Sequence, residues 1–160
     1  MKGIYVGILL LALIGLTGCE DTTIQSSVPT APVQLTINTE AGLYVHFVPA
    51  NVGEALIVDG AGYHFHGQTI PLTSTDYYGY SGVLIYITQD QQYAAFDLCC
   101  PHCKKRAVPC SLDGFYLVCP TCDEHYDVSH GYGTPTKGVS KEALRKYTTV
   151  YSNHRLTVRD

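Results

Sequence analysis

Cys99-Cys100-Pro101-His102-Cys103 and Cys119-Pro120-Thr121-Cys122-Asp123-Glu124-His125-Tyr126-Asp127 decide the reading of this chain. Counted from Cys100, the pattern is C-x2-C-x15-C-x2-C. Two thiols three positions apart on a tight turn can face one ion, and two such turns close a tetrahedral sulfur site. Proline stiffens each turn and lowers the entropy lost in presenting the pair. Cys100, Cys103, Cys119 and Cys122 are therefore the candidate ligands, and four thiolates suit zinc or a single iron. The competing reading is a disulfide framework, since six cysteines remain after Cys19 and six is even. Cys99 and Cys110 stand outside the four; they read as small buried side chains or as one further bridge.

Outward from the cysteines the chain reads as short strands. Tyr93–Leu98 runs into the first cluster, and Phe115–Val118 runs into the second after an Asp113-Gly114 turn. Val83–Thr88 is a continuous apolar run, which predicts a buried strand. Gln34–Asn38, Leu43–Val48, Ala55–Val58 and Tyr63–His66 add four more, and Tyr147–Tyr151 with Arg155–Val158 close the chain as a hairpin. Residues 140–146 read as one helical turn with Ser140 as its cap. The fold class is all-β.

The same stretch carries a second register. Cys100-Pro101-His102 is C-x-H, and after a spacer comes Cys119-Pro120-Thr121-Cys122-Asp123-Glu124-His125-Tyr126-Asp127. This resembles the two boxes of Rieske iron–sulfur domains, C-x-H and C-P-x-H-G-S-x-F-D, with Cys119, Pro120, Tyr126 and Asp127 in register. Ala95-Phe96-Asp97, Gly131-x-Gly133-x-Pro135, Gly138 and Leu144-Arg145-Lys146-Tyr147 resemble the family's flanks, so the likeness runs from about Val83 to Arg159. It implies an antiparallel Rieske-like barrel or sandwich with a rubredoxin-like, zinc-ribbon-like metal-binding subdomain inserted at about residues 98–127.

Three residues depart from the family pattern. Cys122 stands where Rieske domains have their second histidine ligand. Thr121 stands where many members have a disulfide cysteine. Cys103 follows His102 at once. The resemblance thus implies a [2Fe–2S] cluster on Cys100, Cys119, Cys122 and either His102 or Cys103. Family register favours His102; the symmetry of the two knuckles favours Cys103. Thiolate in place of imidazole lowers the potential: Rieske centres lie at about −150 to +300 mV, all-thiolate plant-type clusters near about −400 mV.

The N-terminus sets the compartment. Lys2 precedes an apolar run of 13 residues, Ile4 to Leu16, which is too short to span a bilayer. It ends in Leu16-Thr17-Gly18-Cys19, which resembles the lipobox of bacterial lipoproteins. The expectation is a signal peptide over residues 1–18, a lipidated Cys19, a Ser/Thr/Pro-rich tether to residue 33, and a domain from Gln34 to Asp160. That places the protein on a cell-envelope membrane outside the cytoplasm. Glu20-Asp21 favour the outer membrane over the inner.

Composition excludes several classes. The net charge is −4 and no basic run stands out, so nucleic acid is not an expected partner. No P-loop, nucleophile elbow or dinucleotide fingerprint occurs. Rieske oxygenases carry a large catalytic domain after the cluster domain; here the chain ends at Asp160, just past the hairpin. The expected function is single-electron transfer by a lipid-anchored iron–sulfur protein with a redox partner. The alternative is a zinc-stapled, Rieske-like binding domain without redox work. Lys104-Lys105-Arg106 read either as counter-charge to the thiolates or as a solvated loop tip. His64 and His66 share a strand face as polar positions, His125 is a loop residue, and Tyr77-Tyr78-Gly79-Tyr80 is a turn packed on the core.

Overall fold

The computed structural model describes residues 26–160. The leader, Cys19 and the first part of the tether lie outside the described residues. Nine strands form one antiparallel sheet that curls into a half-barrel: β1 (Val33–Asn38), β2 (Ala55–Asp59), β3 (Gly62–Phe65), β4 (Gln68–Ile70), β5 (Tyr77–Tyr78), β6 (Val83–Ile87), β7 (Tyr93–Asp97), β12 (Lys146–Ser152) and β13 (Arg155–Arg159). Their order is β4-β3-β2-β6-β7-β12-β13-β1-β5. The insertion between β7 and β12 forms a second, four-stranded sheet of β8 (Ser111–Asp113), β9 (Tyr116–Val118), β10 (His125–Asp127) and β11 (Thr134–Lys137). The chain is thus all-β with an inserted cysteine-bearing subdomain. That subdomain reaches past residue 127, because β11 pairs with β10.

Side-chain alternation explains the half-barrel. In β1, Val33, Leu35 and Ile37 point inward while Gln34, Thr36 and Asn38 face solvent. β6 and β7 differ, because all five residues of each are buried. Val83, Ile85, Ile87 and Ala95 face the half-barrel core. Leu84, Tyr86, Ala94 and Phe96 face a second core shared with Leu98, Leu117, Tyr126, Val128 and Leu144. This pair of strands is a wall common to both cores, which is why Val83–Thr88 reads as an unbroken apolar run.

Three expectations change. Leu43–Val48 is not a strand; Gly42–His46 forms a 3-10 turn. Strand alternation would bury Val45 beside Leu43 and Phe47, but Val45 is 45% exposed. The turn instead packs Leu43, Tyr44 and Phe47 on the core, with Gly42 at φ +72° starting it. Residues 140–146 form no helix, because their backbone bonds elsewhere: Leu144 N–H donates to Gly133 O, and Arg145 O accepts from Asp97 N–H. Ser140 Oγ still accepts from Glu142 N–H, as a local turn. Contacts with the domain also reach ahead of Gln34. Val28 is buried, and Arg145 holds its carbonyl and the Thr30 hydroxyl, both at 3.4 Å. Among the described residues, no helix is long and apolar enough to cross a membrane.

Candidate metal centre

The two cysteine knuckles are built alike. Lys104 N–H donates to Cys100 O at 2.8 Å, and Asp123 N–H donates to Cys119 O at 2.9 Å. Each turn is closed by a residue in the left-handed region, Lys104 at φ +54° and Asp123 at φ +56°. That conformation is unfavourable for a side chain-bearing residue. Pro101 and Pro120 hold the second position of each turn at the φ it needs. The first knuckle follows β7; the second lies between β9 and β10. Their strands bring the knuckles face to face.

All four Sγ atoms of Cys100, Cys103, Cys119 and Cys122 lie within 4.8 Å of one another. Cys100 Sγ is 3.7 Å from Cys122 Sγ, and Cys103 Sγ is 3.8 Å from Cys119 Sγ. Four sulfurs around a tetrahedral ion at bonds of about 2.3 Å stand about 3.8 Å apart. The donor set therefore fits a thiophilic metal. Cys100 and Cys119 form the buried side of the set, while Cys103 and Cys122 are only half-buried. Without a metal the thiols differ. Burial raises the pKa of Cys122, with neighbouring thiols adding to it. Burial also opposes ionisation of Cys119, but the backbone amides of Thr121 and Cys122 together with the neighbouring Cys122 and Cys100 thiols outweigh it and lower the pKa.

Three buried polar groups support the knuckles. Asp97 is 0% exposed at the end of β7. Its carboxylate accepts from the backbone N–H of Tyr80 at 2.7 Å, Ser81 at 3.2 Å and Cys99 at 2.8 Å, and from the Tyr147 hydroxyl at 2.6 Å. It fixes where the first knuckle leaves the half-barrel. Glu124 is 1% exposed. Its carboxylate accepts from the N–H of Val139 at 2.6 Å and of Ser140 at 3.1 Å, tying the loop after β11 to the second knuckle. The Tyr126 hydroxyl lies beside Cys100 Sγ, and burial raises its pKa, so it keeps its proton. The sequence places Asp97, Glu124 and Tyr126 near the cysteines but shows nothing of these bonds. A carboxylate immediately outside a cysteine knuckle was the available signal.

The remaining candidates fall elsewhere. His102 is exposed and lies outside the group of four sulfurs. It lines a groove of about 410 Å³ with Pro101, Lys104, Ser140, Lys141 and Glu142. Cys99 and Cys110 are free buried thiols, and burial pushes Cys99 up to about 11. His125 pairs with Asp123, which also binds Lys137. His64 and His66 contact separate carboxylates, Asp59 and Glu54, each at 2.8 Å, and converge on no common site. Of the three cations after the first knuckle, Arg106 turns away to lie over Tyr80 and donate to its carbonyl. Tyr77 and Tyr78 form β5, the edge strand beside β1.

No family model matches the chain, and no curated protein matches it. Solved structures similar to it include a chain of the complex of reduced oxygenase and oxidized ferredoxin in carbazole 1,9a-dioxygenase. That chain is 15% identical with a TM-score of 0.44, and the match covers 79% of this chain and 93% of that one. The Sphingomonas yanoikuyae B1 ferredoxin is 13% identical with a TM-score of 0.40, over 71% of this chain and 93% of that one.

Proposed function

We propose that this chain is a lipid-anchored, Rieske-type metal–thiolate protein that passes single electrons at the cell-envelope membrane. Cys100, Cys103, Cys119 and Cys122 are its ligands, and iron is its metal. The observation that carries this is the gathering of four sulfurs from two like-built knuckles, with one pair facing outward. Iron held by thiolates supplies a one-electron couple there. The protein's part is to hold the sulfurs rigid, keep Cys100 and Cys119 from water, donate the Tyr126 hydrogen bond, and leave the Cys103–Cys122 edge open to a partner. Cys103 rather than His102 is the fourth ligand, since Cys103 belongs to the group of gathered sulfurs while His102 stands outside it and lines the groove.

The Rieske register supports a [2Fe–2S] cluster. Such a cluster spreads its four ligands over two metals, so the knuckles would stand further apart than around one ion. The sulfur separations favour a second reading, a single tetrahedral ion: one iron, with electron transfer kept, or zinc, with none. Structural zinc would act by stapling the knuckles, which contributes apparent free energies of about 10–16 kcal/mol in small domains.

The deciding experiment is purification of the mature chain without added metal under anaerobic conditions. Iron, sulfide and zinc are measured beside a visible spectrum. Iron with or without sulfide, and bands that bleach reversibly with one electron, support the proposal and give the nuclearity. One zinc and a colourless sample end the redox reading. Six oxidised thiols and no metal end both.

A further inference from the structure

We infer that the face carrying the metal centre docks on anionic lipid headgroups, held there by the chain's own N-terminal segment. The anchoring part rests on the lipidation of Cys19 proposed above; the docking surface stands on geometry and charge. Lys104 and Lys141 line the groove beside His102, and Lys105 adjoins them. All three are exposed, and none has a carboxylate partner among the described residues. The carboxylates close by are already engaged. Glu124 is buried on the Val139 and Ser140 amides, Asp123 pairs with Lys137, and Glu142 accepts from the backbone N–H and the hydroxyl of Ser27.

Charge is polarised across the molecule. Residues 99–105, 119–124 and 137–142 carry four cations and three carboxylates, whereas the rest of residues 26–160, with Arg106 turned away onto Tyr80, carries five cations and nine carboxylates. An anionic surface would therefore turn this face toward itself. Val139, 74% exposed next to the groove, offers an apolar side chain to the interfacial zone.

The N-terminal segment selects a lipid surface over an acidic protein. Ser27 is bonded to Glu142, a wall of the groove, and Val28 is buried, so the chain leaves the domain at this face. Eight residue steps separate Ser27 from Cys19, which span at most about 29 Å fully extended. An acylated Cys19 would keep the groove within that distance of its bilayer. It would also supply the local concentration that makes three cations sufficient. The half-buried Cys103 and Cys122 would then face electron carriers at the membrane surface.

The test uses the mature chain with Cys19→Ser, sedimented with phosphatidylcholine vesicles with or without about 30 mol% phosphatidylglycerol. At low salt, partition onto the anionic vesicles should exceed that onto the neutral ones by roughly a hundredfold. The preference should collapse toward about 0.3 M salt. Lys104→Gln with Lys105→Gln and Lys141→Gln should abolish most of it. Lys146→Gln with Arg155→Gln and Arg159→Gln changes the net charge equally and should leave it. Metal content reports whether each variant is folded. No preference for anionic vesicles, or equal loss in both triple variants, overturns the docking surface and leaves the cations to an acidic protein. Palmitate labelling of the full chain in cells tests Cys19 separately. Vesicle preference without labelling removes the anchor and keeps the surface; labelling without preference does the reverse.

Discussion

The Tyr126 hydroxyl lies 3.5 Å from Cys100 Sγ, on the buried side of the four sulfurs. A metal-bound thiolate would have no proton to give, so with the proposed metal in place the phenol would be the donor of this pair. With a redox metal bound, the bond would favour the more negative, reduced state of the proposed centre.

Tyr126→Phe removes that donor and leaves the ring. The reduction potential should fall by roughly 20–60 mV, the equivalent of about 0.5–1.5 kcal/mol for one hydrogen bond in a one-electron couple. Protein-film voltammetry of wild type and variant measures it. An unchanged potential would mean that the phenol only fills space.

Substitution separates the two candidates for the fourth ligand. Cys103→Ala should abolish stable metal binding, because three thiolates and water replace four. His102→Ala should leave metal content and visible spectrum as in wild type. Metal analysis after gel filtration reads both. Loss of metal in His102→Ala alone would restore the histidine assignment of the Rieske register.

Metal affinity should rise with pH. Cys122 has a raised pKa because burial and neighbouring thiols disfavour its thiolate, and the Cys103 pKa is also raised. At neutral pH both are protonated in the metal-free protein, and binding must release those protons. At least two protons released correspond to at least about two decades of apparent affinity per pH unit, with affinity lost as pH falls. Competition against a chelator between about pH 6 and 8 gives the slope. A flat profile would show thiolates already formed before the metal arrives.

Much of this architecture was legible in the chain. β1, β2, β3, β6, β7, β12 and β13 announce themselves by alternation or by apolar runs, and the cysteine spacing picks out the four gathered sulfurs. What escaped is tertiary in origin. β4, β5, β8, β10 and β11 are two to four residues long and too short to show a period. Leu43–Val48 has strand composition, but its large side chains cap one end of a barrel, and a 3-10 turn delivers them better. Asp97 reads as the ordinary end of a strand; only the fold shows four donors converging on it.

Glu124 and Gly138 form a second such pair. Gly138 sits at φ +112°, and a Cβ there would collide with the Glu124 carboxyl group. Glu124→Ala leaves the Val139 and Ser140 amides without their acceptor and should cost about 2–4 kcal/mol. Gly138→Ala should cost as much through strain and displacement of that carboxylate. Urea unfolding of the metal-loaded protein measures both. If Glu124→Ala unfolds like wild type, the loop after β11 does not depend on it.

β6 and β7 are buried on both faces, one toward the half-barrel and one toward the knuckles. Neither core can open without stripping cover from the same two strands. The molecule is therefore one cooperative unit with two interiors. Removing the metal would loosen the wall from one side, and its slackening would reach amides of β1 and β13 that lie across the half-barrel from any sulfur. The fold would then register an empty centre as a global loss of rigidity, in the way a building registers a missing tie in its party wall.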